Sequence, residues 1–108
     1  MKYLTLRAWD GGSYHILDSR KQDTFYACGS FKEYELSSFV TDIDGVEVFQ
    51  NDIVVIVDSE HHEPTYFIVE FNNEAQWIIN NHHQNEFYQL CDFDIKVVGN
   101  KHENKNLI

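Results

Sequence analysis

From residue 46 onward a turn-forming cluster interrupts the chain every few residues, which leaves room for strands of about five residues and little else. Asp44 and Gly45 precede the run at 46–49. Gln50, Asn51 and Asp52 turn the chain into IVVIV, a continuous β-branched stretch of the kind found where both faces of a strand are covered. SEHHEP ends that strand, and Pro64 disfavours helix before it. Further strands are predicted at 66–71, 75–79 and 95–98, with Asn72, Asn73 and Glu74 as a turn between the first two. The spacing of Phe87, Leu90 and Cys91 predicts a short helix in NNHHQNEFYQLCDFD.

The amino-terminal part follows the same logic. In MKYLTLRAW, Tyr3, Thr5, Arg7 and Trp9 alternate with Leu4, Leu6 and Ala8, the period-two pattern of a strand with one buried face. Asp10, Gly11 and Gly12 make a tight turn, and YHILD returns as the second strand of a hairpin. A strand is also expected at 24–28, whereas FKEYEL reads equally as a short helix or a strand. The expected fold is mainly β, with α+β as its variant: a small bent antiparallel sheet or SH3-like barrel, an amino-terminal hairpin and at most one or two short helices. A single domain is expected, with a hairpin part at 1–40, a barrel-like part at 41–99 and a polar tail at 100–108.

Charge narrows the function classes. The net charge is −10, and no Lys or Arg occurs between Glu33 and Ile95, a segment that holds fourteen Asp and Glu. Phosphate backbones are held chiefly by Lys and Arg, so such a body repels nucleic acid. Trp9, Tyr66, Phe67, Phe71 and Trp77 could form a base-stacking surface, but such surfaces need a cationic groove alongside, so core burial is expected for them. No run approaches the roughly 20 apolar residues of a bilayer span, and the start lacks the pattern of a secretory signal. A cytoplasmic protein without membrane partners is expected. Cys28 and Cys91, the only cysteines, are expected to be small hydrophobes in a reducing compartment.

The candidate chemical sites each fail on spacing. In DIDG the calcium-loop register would place Val40 and Asn51 where Asp and Glu are required. His61 with His62, and His82 with His83, are adjacent in sequence and so diverge. A metal would need one His from each pair, with Glu63 or Glu86. His15 and His102 stand alone. No nucleophile elbow or phosphate-binding loop is present, so no catalytic, cofactor-binding or metal residue is assigned and no cofactor is expected.

Three stretches together resemble the YopX family. They are RAWD (Arg7, Ala8, Trp9, Asp10), DIDGVEVFQNDIV with Asp42, Gly45 and Asp52, and VVGNKHENKNLI with Gly99, Asn100, Glu103 and Asn104. Order and spacing agree along essentially the whole chain. Asn51 stands where the family usually has Gly, a change tolerated because Asn also visits positive φ. Lys105 replaces a usual Pro, and a Gly-Leu-Lys element before the middle stretch is missing. The resemblance implies a β-rich protein encoded by a phage or prophage, with no established activity and with motif residues in structural roles. The expectation is therefore a non-enzymatic accessory protein that binds a bacterial or phage protein. Its main rival is an acidic nucleic-acid mimic that inhibits a host DNA-binding enzyme. Two further readings are weak nucleic-acid binding through Arg7, Lys96, Lys101 and Lys105, and a metal-dependent enzyme.

Overall fold

Nine strands order the computed structural model, which describes residues 5–18, 33–57 and 65–108. They are β1 Thr5–Trp9, β2 Tyr14–Asp18, β3 Glu33–Thr41, β4 Glu47–Phe49, β5 Asp52–Ile56, β6 Phe67–Phe71, β7 Trp77–Asn81, β8 Glu86–Gln89 and β9 Ile95–Asn100. All pairings are antiparallel. One sheet has the order β2-β1-β3-β4, and the other, a curled half-barrel, has the order β8-β7-β6-β5-β9. The fold is mostly β, as expected. The strand predicted at 24–28, Cys28, and the pair His61 and His62 lie outside the described residues.

The turns form where side-chain oxygens can replace the ladder. Asp10 Oδ1 accepts the amides of Gly12 and Ser13 at 2.8 and 2.9 Å and so closes the β1–β2 hairpin. Asn72 Oδ1 accepts those of Glu74 and Gln76 at 2.9 and 3.0 Å between β6 and β7. Gly45 has φ of 82° in the turn before β4, and Asn51 reaches 69° between β4 and β5, the left-handed geometry anticipated for it.

β5 lies between β6 and β9, and its Ile53 and Val54, on opposite faces, are both fully buried. Ile53 faces Gly99 while Val54 faces Val97, so Val98 has no partner on β5. This extra residue is a bulge, which increases local twist and bends β9 around the sheet. The register places Val54 opposite Phe67 and Val69 opposite Ile79 on the concave face. With Val48, Leu90 and Ile95 these residues form the core.

One expectation is corrected and one open alternative is decided. In the segment after Asn81 the expected short helix is reduced to a single 3-10 turn. β8 pairs with β7, and the turn, Leu90–Asp92, follows. Leu90 takes the inward position of that turn, which leaves Phe87 and Cys91 exposed. Of the stretch FKEYEL, the described residues 33–36 take the strand alternative and open β3, because β1 and β4 pair with β3 on either side. Among the expected core aromatics, Phe67 is buried, Trp77 is half-buried, and Phe71 is 42% exposed beside it. Phe71 lies at the last position of β6, where burial runs out.

Candidate functional site

Arg7 sits in the middle of β1 directly opposite Glu35 on β3, so their side chains share a face. That face points toward the start of β5 in the second sheet. The guanidinium donates from Nε to Glu35 Oε1 at 2.6 Å, from Nη1 to Asp52 Oδ1 at 2.7 Å, and from Nη2 to the Gln50 carbonyl at 3.0 Å. The three charged side chains are nearly sealed from water: Arg7 is 7% exposed, Glu35 1% and Asp52 2%. A planar guanidinium suits this arrangement, because its fork reaches acceptors in several directions at once.

The remaining lone pairs are also taken. Glu35 Oε2 receives Asn51 Nδ2 at 2.7 Å and lies 3.1 Å from His102 Nε2. Asp52 Oδ2 accepts the Phe49 amide at 2.8 Å. The His102 ring stacks on Trp9 at 4.5 Å, and the Arg7 guanidinium lies 4.0 Å from the centre of the Tyr14 ring. Burial pushes the Asp52 carboxyl above its usual range, outweighing the Arg7 charge and the Phe49 amide that favour ionisation. Burial likewise raises the Tyr14 hydroxyl, against the opposing pull of Arg7, with Glu35 adding to the rise. That hydroxyl is buried and makes no hydrogen bond of good geometry.

The three sequence motifs therefore converge. Arg7 and Trp9 come from the first, Asn51 and Asp52 from the second and His102 from the third, while Glu35 belongs to none of them. Each donor or acceptor of the charged trio named above faces another protein group. This is the arrangement of a clasp that ties the two sheets and the segment after β9 together. It also leaves Arg7 engaged inside the protein, away from any phosphate contact at the surface.

The other motif residues hold backbone. Asp42 is a second fastening point: its Oδ1 accepts the amides of Asp44 and Val46, and its Oδ2 accepts that of Val97 on β9, all at 2.9 Å. Burial opposes its ionisation, but these three amides, helped by Lys96, hold its carboxyl below the usual range. Asp10 is held down by its bond to His15 and by the Ser13 and Gly12 amides. Ala8 is fully buried. Asn104 Oδ1 accepts the Asn100 amide at 3.1 Å and passes so close to Gly99 that a Cβ there would lie 2.4 Å from it. Asn100 Oδ1 caps the amides of His102 and Glu103 at 3.0 Å each, and Glu103 is itself exposed. His82 Nε2 lies 2.6 Å from Glu70 Oε2. Among the described residues no group of three or more His, Cys, Asp or Glu side chains is arranged to hold a metal.

A cleft of about 420 Å³ opens over the clasp. Arg7 and Asp52 lie at its buried end, and Ile16, Val46, Phe49 and Val97 line it. Ile16 and Val46 are 62% and 49% exposed. Sequence reading missed Glu35, His102 and this cleft. The one signal available was an Arg placed between Leu6 and Ala8 in a strand, which must find anionic partners if it is buried.

No protein-family model and no curated protein matches the chain. Among solved structures, the fold is similar to that of the protein YopX from Bacillus subtilis, known from an X-ray crystal structure. The two are 14% identical and superpose with a TM-score of 0.62 over 96% of this chain and 97% of that chain. The three sequence motifs and the arrangement of the strands thus lead to one conclusion: this chain has the fold of YopX.

Proposed function

We propose that the protein is a phage- or prophage-encoded accessory protein that acts without catalysis, by binding another protein in the bacterial cytoplasm. The observation that supports this reading best is how its polar chemistry is used. The buried charges at Arg7, Glu35 and Asp52 are bonded to one another and to backbone, so they build a rigid scaffold. Beside them an apolar cleft stays open, the kind of surface that excludes water on meeting a partner. The phage assignment follows from the motif resemblance.

Charge distribution favours a second reading, the acidic mimic of nucleic acid, because fourteen acids lie in a segment without one Lys or Arg. Affinity capture from host lysate at about 50 and about 300 mM salt separates the two, since screening shortens the reach of exposed charges between those concentrations. A partner retained at both concentrations is the expected result. A DNA-processing enzyme retained only at low salt, and competed by DNA, would replace the leading proposal with the mimic. An empty capture would remove the host partner.

A further inference from the structure

We propose that the cleft over the Arg7 clasp is the docking groove for an extended, cationic segment of a partner protein. An apolar side chain of that segment sits between Ile16, Val46 and Val97, and a Lys or Arg side chain lies beside Glu47 at the rim. The proposal rests on the reading of the protein as a protein binder and adds the chemistry of what it binds. Four observations carry it. Ile16 and Val46 are exposed apolar residues from separate parts of the chain that line one open concavity of about 420 Å³, room for a side chain of a partner. The groove lies between β4, which ends the first sheet, and β9, which ends the second; Asp42 already holds the Val46 and Val97 amides there, so side chains rather than strand pairing make the contact.

Charge sets the sign of the partner. Among the described residues Arg7 is the only cation lining the cleft, and it is neutralised by Glu35 and Asp52, while Glu47 stands exposed at the rim. Lys96 on β9 is drawn toward Asp44, 3.9 Å away. An anionic segment is repelled here and a cationic one attracted. The walls are also ordered in advance: the clasp fixes the buried end, and Asn104 locks Gly99 and Asn100, so little ordering cost remains on binding.

The test uses the whole chain, labelled for amide-resolved NMR, titrated with two synthetic peptides of about eight residues, one alternating Leu with Lys and the other Leu with Glu. The Leu/Lys peptide is expected to shift the amides of Val46, Glu47, Val97 and Gly99, and the Leu/Glu peptide to leave them in place. Ile16→Asp and Val46→Asp then separate the groove from bulk charge. Both positions are exposed, so thermal stability should hold, yet each variant makes the protein more acidic. If the groove is the seat, the Leu/Lys peptide binds at least tenfold more weakly to both variants. If charge alone attracts it, binding strengthens, and the proposal fails. Shifts scattered over the acidic exterior, or none at millimolar peptide, overturn it as well. A lysate partner retained equally by the wild type and both variants would leave the binding function standing and exclude the cleft from it.

Discussion

Arg7→Met isolates the charge at the centre of the clasp, because the substitution keeps an unbranched side chain against the Tyr14 and Phe49 rings and removes only the guanidinium. Two carboxylates, 1% and 2% exposed, then lose their shared cation. Breaking a buried ion pair from one side costs about 3–5 kcal/mol, since the stranded charge is neither hydrated nor paired. Here the lower end applies. Asp52, with its pKa already raised, can take up a proton, and Glu35 keeps Asn51 and His102. A loss of about 3 kcal/mol is a large share of the roughly 5–15 kcal/mol of a domain this size. It corresponds to a fall in Tm of about 12–24 °C. Urea unfolding followed by Trp fluorescence, with an unchanged m-value, measures it. Arg7→Lys should fall between, losing about 1–2 kcal/mol, because one ammonium cannot replace a fork directed at Glu35, Asp52 and the Gln50 carbonyl. In the Arg7→Met background, Glu35→Gln should restore stability, because it removes one of the stranded charges. A loss below about 1 kcal/mol for Arg7→Met, the value of an exposed pair, would refute the reasoning, as would a second loss on adding Glu35→Gln.

Gly99→Ala should cost about 1–3 kcal/mol in urea unfolding, because its Cβ would displace the Asn104 side chain 2.4 Å away; added to Asn104→Ala it should cost far less. Asn51→Gly relieves the φ of 69° but removes the 2.7 Å bond to Glu35, and a net loss of about 1 kcal/mol is expected. A more stable Gly variant would show that the turn conformation outweighs the bond. The two buried aspartates have opposite pH signatures. The lowered Asp42 pKa means that its stabilisation is complete above the ordinary 3.8 and is lost as pH falls through the folded value. The raised Asp52 pKa means that its contribution is present below 3.8 and is lost as pH rises through the folded value. Urea midpoints measured against pH should therefore show a shallower acid loss in Asp42→Asn, and in Asp52→Asn the disappearance of the decline above 3.8.

How much of this was legible in the sequence depended on the range of the interaction. Turns were legible because their signals are local: Asp10, Asp42 and Asn72 bond to amides two to four residues away, and such bonding competes with strand pairing wherever the residue occurs. β5 was legible because β-branched residues fit a strand covered on both faces. The helix expected near Phe87 failed because a spacing of three and four residues states only which residues could share a side. Pairing of β8 with β7 decided the conformation, and only Leu90 of Phe87, Leu90 and Cys91 is buried.

The clasp was hidden for the opposite reason, since its bonds join positions far apart in the chain. Arg7 meets Glu35 across 28 residues, and His102 meets Glu35 across 67. Neither Glu35 nor His102 has a neighbour that marks it, which is why one resembled any other acid and the other stood alone. The same long range changes the meaning of the acidic segment. Of its fourteen carboxylates, Glu35, Asp42 and Asp52 face inward to hold Arg7 and backbone amides, so they add nothing to the exterior field. The charge that a partner meets is carried instead by exposed acids such as Glu47, beside a cleft where Arg7, the one cation among the described lining residues, is already paired. An inventory of charge read along the sequence sums these two populations. Only the folded chain separates the carboxylates that build the scaffold from those free to steer another protein toward it.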